Sequence, residues 1–311
     1  MPAVPEAGTG SGARVVTGQK PWQELMPPQP TQFQMPFWYS SLLSFWLFYP
    51  VRKDALEALL PDLPAGHGLR VADFDELDGR ALVSLDFQAY TSGGSGFLGF
   101  TREVEFNAYV YPESRLPAVP LMSWQDYLRG RDQTKTIGGF RLHVPCDNPI
   151  AVEAGQENFG EPKWLASFQY SVPSPNAPDV QTWSYGVYEP CDPTKSPPPD
   201  TLIYQIDADL RGTASVISNL SPLIEYGTRT IDGRDVLAAN LWNFFGWFDT
   251  YFFDEDEARK VKLHLGPSID HHRLRQDVQG LIGTTPPIAA QTFQSAPVSS
   301  EAQAWLEDPD D

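Results

Sequence analysis

Apolar residues along this chain recur most often at every second position, the spacing of a strand with one buried face. After Leu202, Tyr204, Ile206, Ala208 and Leu210 alternate with Gln205, Asp207, Asp209 and Arg211. Phe100, Val104, Phe106, Ala108 and Val110 alternate in the same way with Thr101, Glu103, Glu105, Asn107 and Tyr109, and Arg80–Tyr90 is similar. Phe37–Tyr49 is aromatic enough to form a strand buried on both faces. Helical spacing is rarer. Ala55, Leu56, Leu59 and Leu60 share a face over Asp54–Leu60 before Pro61 stops it, and Ile150–Phe159 and Val236–Phe248 are two further candidates. Thirty prolines interrupt the chain, so long helices are not expected. Many strands at hairpin spacing with few crossover helices predict a mainly β, α+β fold, an antiparallel sandwich or barrel.

Composition trims this picture at both ends. Residues 1–34 are rich in Pro, Gly, Gln and Ala and are expected as an arm without a core of its own. Residues 295–311 end in Glu-Asp-Pro-Asp-Asp and are expected as an acidic tail, leaving 35–294 as a single domain. Lys and Arg number 22 against 40 Asp and Glu, a net charge of −18. A field of that sign repels phosphate backbones and anionic lipid, so no nucleic-acid or membrane partner is expected. The most apolar run, Phe37–Val51, carries three serines and falls short of the roughly 18–20 residues of a spanning helix. The first residues carry no basic stretch followed by an apolar one, so a cytoplasmic protein is expected. Cys146 and Cys191 have no CxxC spacing and are expected as ordinary thiols.

Several stretches carry candidate chemistry. Gly94, Gly96 and Gly99 have the spacing of a dinucleotide-binding loop, but the residues that follow read as a strand, so no helix N-terminus is there to hold a pyrophosphate. A hairpin loop is expected. Asp270-His271-His272 with His264 matches no zinc spacing, and no metal is expected. No Gly-x-Ser-x-Gly is present. The densest aromatic patch runs from Trp242 through Phe245 to Phe253 and would form either core or the apolar wall of a ligand pocket. Lysine is the informative residue, because there are only seven. Lys163 alone opens an apolar stretch, Pro162-Lys163-Trp164-Leu165-Ala166. In apolar surroundings an ammonium loses its solvation, its pKa falls, and the neutral amine becomes available to attack a carbonyl.

The segment Gly155-Gln156-Glu157-Asn158-Phe159-Gly160-Glu161-Pro162-Lys163, preceded by Asp147-Asn148-Pro149-Ile150-Ala151-Val152, resembles the nucleophile segment of the acetoacetate decarboxylase family. Tyr49–Pro61 resembles that family's early strand and helix, and Thr101-Arg102-Glu103 resembles the strand bearing an active-site glutamate. The likeness runs from about residue 45 to 170 and more loosely to about 290. It implies a cone-like antiparallel β-barrel flanked by sheet and short helices. It also implies a homo-oligomer and a cofactor-free lyase in which Lys163 forms an imine with an oxo acid or ketone. Glu103 would move protons, with Glu105 and Asp86 beside it in the pocket. Two departures are evident. The family's second lysine, directly after the nucleophile, is here Trp164, and the position of its active-site arginine falls on Leu42. A catalytically silent binding protein of the same fold is the alternative, and an assembly subunit a third. A neutral, buried Lys163 beside a carboxylate and facing a cavity would mark the enzyme, and an ion-paired Lys163 the binder.

Overall fold

The alternating stretches fold as strands in a computed structural model, which describes residues 33, 35–63, 68–93, 99–173, 179–267, 273–295 and 300–306. The expected arm, residues 1–34, lies outside the described residues except for residue 33. A long first strand, β1 (Phe37–Arg52), leads into a short helix, α1 (Lys53–Glu57). Then come β2 (Leu69–Val71), β3 (Arg80–Gly93), β4 (Gly99–Pro112), α2 (Trp124–Leu128) and β5 (Gly138–Cys146). Helix α3 (Pro149–Ala154), β6 (Lys163–Leu165), β7 (Ser167–Ser171), β8 (Trp183–Tyr188) and β9 (Leu202–Ala208) follow. The last part holds β10 (Ser215–Ser218), β11 (Leu223–Ile231), β12 (Arg234–Phe244), β13 (Phe248–Phe252), α4 (Glu255–Ala258) and β14 (Val261–Leu265). It ends with α5 (Arg273–Leu281), β15 (Ala289–Gln294) and β16 (Ser300–Leu306).

Twelve strands join one sheet, and β14-β9-β8-β7 form a second, antiparallel sheet of four. In the larger sheet β1 pairs with β3 from Trp38↔Gly93 to Arg52↔Arg80, and on its other edge with β15 and β16. From β3 the pairing passes to β4, β5, β11, β12 and β16. All these contacts are antiparallel except β5–β11, and β6 adds to β5 in parallel. The glycine-rich stretch does connect a hairpin: Ser92 of β3 pairs with Gly99 of β4, and residues 94–98 lie outside the described residues.

Because side chains alternate across a strand, the larger sheet presents two different faces. On the core face, Val83, Leu85, Phe87, Val104, Phe106 and Ala108 share one buried cluster with Tyr185, Tyr204 and Ile206 of the smaller sheet. Phe87 stacks on Tyr185 with ring centroids 4.9 Å apart and planes at 13°. The opposite face, here the site face, carries Leu82, Ser84, Asp86, Gln88 and Tyr90 from β3 and Thr101, Glu103, Glu105, Asn107 and Tyr109 from β4. All of these are buried. Part of the site face is aromatic, with Trp46, Phe244, Phe248 and Phe293 packed together, Trp46 and Phe248 at 4.8 Å. The rest is polar.

Two expectations fail here. Val236–Phe248 is not a helix: β12 runs through it, with Leu237 and Ala239 in the core cluster while Phe244 faces the other way. Both faces are covered, so apolar residues occupy both parities and the pattern loses its period of two. Within the stretch expected as an acidic tail, Ser300–Leu306 instead forms β16 and pairs with both β1 and β12. The helix expected at Ile150–Phe159 does form, as α3 and a wider turn over Gly155–Phe159.

Candidate functional site

Lys163 reaches the site face through a tightly specified turn. Asn148 caps α3 by accepting a hydrogen bond from the Ile150 amide at 3.0 Å, and Pro149 supplies a first helical residue that needs no donor. The wider turn ends at Gly160, whose φ of +67° favours glycine and whose missing Cβ leaves room for the Thr228 carbonyl of β11. Glu161 and Pro162 then deliver Lys163 to β6, where Val144 of β5 pairs with it. The Gln156 side chain donates to the Lys163 carbonyl at 2.6 Å and ties the two ends of the loop together. Gly155 is equally specific, since a Cβ there would strike the Glu161 carboxylate and lie 2.6 Å from Lys163 Cδ.

The Lys163 ammonium lies between two carboxylates, 2.8 Å from Glu103 Oε2 and 3.0 Å from Glu161 Oε2. Tyr90 donates its hydroxyl to Glu103 Oε2 at 3.1 Å. Beside them Arg141 of β5, fully buried, pairs with Glu105 at 2.9 Å, with Glu161 at 3.3 Å and with Glu225 of β11. The network continues through Asn107, which donates to Glu105 at 3.2 Å and to Asp86 at 2.8 Å, and through Ser84, which donates to Asp86 at 2.9 Å. Five carboxylates thus share this buried face with two cations.

These distances set the protonation. Burial pulls the Lys163 ammonium down, but Glu103 and Glu161 outweigh it and hold the lysine well above its ordinary value. The expected neutral amine is therefore not the resting state. The apolar sequence neighbours that suggested it are not the spatial neighbours, because Trp164 turns to the opposite face. Burial pushes Glu103 up. It would do the same to Glu161, but Arg141 and then Lys163 prevail and Glu161 is held low. Glu225 is pushed well up by burial despite Arg141. Among the described lysines it is Lys135 whose ammonium burial pulls below the ordinary value.

Asp86 is pushed well above its ordinary 3.8 by burial and by Glu105. A folded-state carboxyl that keeps a proton the unfolded chain releases costs stability as pH rises from the ordinary value toward the raised one. Asp86→Asn should accordingly be more stable than the parent at pH 7, by roughly 1 kcal/mol or more, and equal to it near pH 3. Thermal unfolding of both proteins across that range checks this. A constant difference at every pH would show that Asp86 does not titrate on folding.

Other sequence-selected residues fall in different places. Glu103 and Glu105 do share a face, but only Glu103 touches Lys163. Trp242 faces the site, 5.2 Å from the Tyr39 ring and 5.9 Å from the Arg141 guanidinium carbon. Phe245 does not: it is 55% exposed where β12 ends, its backbone turning away after Phe244. Trp164 packs against the core cluster and lines an outer groove of about 830 Å3 with Leu59, Leu142, Thr228 and Asp277. Glu161 and Arg141 also border that groove, whereas Lys163 is not among its lining residues. Leu42 is buried in the aromatic cluster and brings no charge. Arg141, Glu161, Glu225 and Tyr90 went unselected in the sequence. Arg141 and Glu225 carry a legible signal, a charge opposed in parity to Phe140 and Leu142, or to Ile224 and Tyr226. Asp270-His271-His272 lies outside the described residues, and His264 sits 3.3 Å from Asp207. No helix among the described residues is long and apolar enough to cross a membrane.

The arrangement of strands and turn recurs in solved structures. An acetoacetate decarboxylase superposes with a TM-score of 0.56 at 14% identity, covering 90% of this chain and 92% of its own. The chain has the acetoacetate decarboxylase-like fold. The enduracididine biosynthesis enzyme MppR, solved in complex with pyruvate, matches with a TM-score of 0.58 at 11% identity over 91% of this chain and 94% of its own. Acetoacetate decarboxylase from Legionella pneumophila matches with a TM-score of 0.52 at 14% identity, over 97% and 98%. No family model matches the sequence, and no curated protein does. Within this acetoacetate decarboxylase-like fold the site differs from the pattern the sequence likeness implies: the second cation is Arg141 on β5, in place of a lysine next to Lys163.

Proposed function

We propose that the protein is a cofactor-free lyase of the decarboxylase or aldol type that binds an oxo acid as an imine on Lys163. The observation that carries this reading is the buried Lys163 amine 2.8 Å from Glu103. Glu103, pushed up by burial and 2.8 Å from the amine, is the carboxylate placed to take the lysine's proton. The freed amine attacks the carbonyl carbon, and the carbinolamine loses water after Glu103 returns the proton to the departing oxygen. The product is a protonated imine, so one ammonium and one carbonyl give one iminium and one water. The iminium then accepts the electron pair released by loss of carbon dioxide from a 3-oxo acid. With a 2-oxo acid it accepts the pair left at the neighbouring carbon when a proton is removed or a carbon–carbon bond breaks there, giving an enamine in either case. Solved relatives of this fold include a decarboxylase and an enzyme complexed with pyruvate, which supports a small oxo acid as substrate. The succession of pairings from β1 through β3, β4, β5, β11, β12 and β16 back to β1 supports the cone-like barrel that belongs to this reading.

Borohydride reduction with pyruvate, acetoacetate and longer oxo acids, followed by peptide mass mapping, tests it. The adduct should fall on Lys163, vanish in Lys163→Ala, and persist in Lys53→Ala, whose lysine is bonded to Asp73 at 2.5 Å. Lys135→Ala separates the competing amine, since an adduct lost only there would refute Lys163 as nucleophile. The double ion pair on Lys163 favours a second reading, a catalytically silent small-molecule binder. No adduct from any oxo acid, with the fold intact, would establish the binder in its place.

A further inference from the structure

Glu161 occupies an unusual position between two cations. Among the described residues it is the one carboxylate within ion-pair distance of both, with Oε1 3.3 Å from Arg141 Nε and Oε2 3.0 Å from Lys163 Nζ. Arg141 is fully buried, and its Nη1 has no hydrogen-bond partner although Nη2 serves Glu105 and Glu225. Glu161 and Arg141 border the outer groove of about 830 Å3, and Lys163 lies behind them. We propose that Arg141 and Lys163 form a subsite for the carboxylate of a 2-oxo acid, and that Glu161 is its built-in occupant, leaving toward the groove when the acid binds.

Three physical points support the exchange, which rests on the imine reading of Lys163. A carboxylate bridging guanidinium and amine places the next carbon of its ligand beside the amine. In a 2-oxo acid that carbon is the carbonyl, the atom Lys163 would attack. A 3-oxo acid has its carbonyl one carbon further out. The second point is charge. A sixth carboxylate in this buried cluster would meet an uncompensated desolvation cost, whereas exchanging one carboxylate for another leaves the balance of charges unchanged. Third, the unpartnered Nη1 gives Arg141 a donor for a two-point contact with a carboxylate that Glu161, held on its own backbone, does not make. The space that the Glu161 carboxylate fills is left by Gly155, whose Cβ would strike it.

The test uses the full chain with acetate and pyruvate as probes, binding being followed by calorimetry and imine formation by borohydride trapping. Acetate has no carbonyl and reports the carboxylate subsite alone. Removing an internal competitor raises apparent affinity by the inverse of the fraction of chains in which the subsite stood open, so with about one chain in ten open Glu161→Ala should bind acetate about tenfold more tightly than the parent. Adding Arg141→Lys should abolish that gain, because an ammonium lacks the two-point fork. Glu161→Gln preserves the shape and serves if the alanine variant does not fold, and it should show a smaller gain in the same direction. Equal acetate affinity in the parent and in a folded Glu161 variant overturns the proposal. Tight acetate binding with no pyruvate adduct would leave the subsite standing and refute the imine. A pyruvate adduct that forms at the same rate with and without Glu161 would do the reverse.

Discussion

Replacing Arg141 by methionine should destabilise the fold by about 3–5 kcal/mol at neutral pH, seen as a large drop in the denaturation midpoint. Methionine nearly matches the volume of the arginine stem, so the loss is not one of packing. Arg141 is fully buried and faces Glu105, Glu161 and Glu225. Without it three carboxylates remain buried, and among the described residues only Glu161 of the three keeps a cation within ion-pair distance, Lys163. The pH dependence identifies the cause. Glu161 is held below its ordinary range, so its share of stability is present at neutral pH and lost as pH falls through that range and below it. Arg141 is the larger of the two charges that hold it low, so the variant lacks most of this share and the gap between the two proteins should narrow in acid. A loss under about 1 kcal/mol, or one independent of pH, would mean that the carboxylates already carry protons and that Arg141 acts as an ordinary packed side chain.

Glu103→Gln should slow imine formation on Lys163 by about 10²–10⁴-fold at saturating pyruvate, with little change in the concentration needed for half-saturation. Glutamine keeps the length and an oxygen for the Tyr90 hydroxyl, now 3.1 Å from Glu103 Oε2, but it does not accept the lysine's proton. The variant also removes one of the two carboxylates that hold Lys163 high, so the amine should titrate at lower pH than in the parent. Trapping in the variant should therefore recover as pH rises into the alkaline range, where solvent takes the proton, while the parent changes less. Single-turnover trapping across pH measures both effects. An unchanged rate at neutral pH would transfer the base's role to Glu161, the other carboxylate within 3.0 Å of Lys163.

Much of the frame was written in local pattern. Alternation named β3, β4 and β9, and the aromatic density of Phe37–Tyr49 named β1, whereas the first helix, expected over Asp54–Leu60, ends at Glu57 and a turn fills the residues before Pro61. The strand-by-strand alternation even separated the polar site face of β4, Glu103, Glu105 and Asn107, from its core face. The pattern failed where a strand is covered on both sides, as in β12, because period then carries no information. It failed again at β16, whose polar composition suggested a tail although its backbone pairs with two neighbours. The nucleophile candidate was legible as well, from the Gly155–Lys163 segment and from the rarity of lysine.

The charge state of that lysine was not legible. Sequence neighbours gave Lys163 apolar company, yet adjacent residues on a strand face opposite sides, so Trp164 went to the core and the outer groove while Lys163 met Glu103 from a strand sixty residues away. The second cation behaved likewise. Leu42 and Trp164 stand where the family likeness looked for cations, and the second charge in the cluster is Arg141 on β5, held by carboxylates from β4, β11 and the turn before β6. Local composition decides which face of a strand is apolar, because burial is a property each residue carries with it. Which charges meet is a matter of register between distant strands, and Coulomb interaction over about 3 Å in a buried site overrides what the neighbouring side chains alone would set.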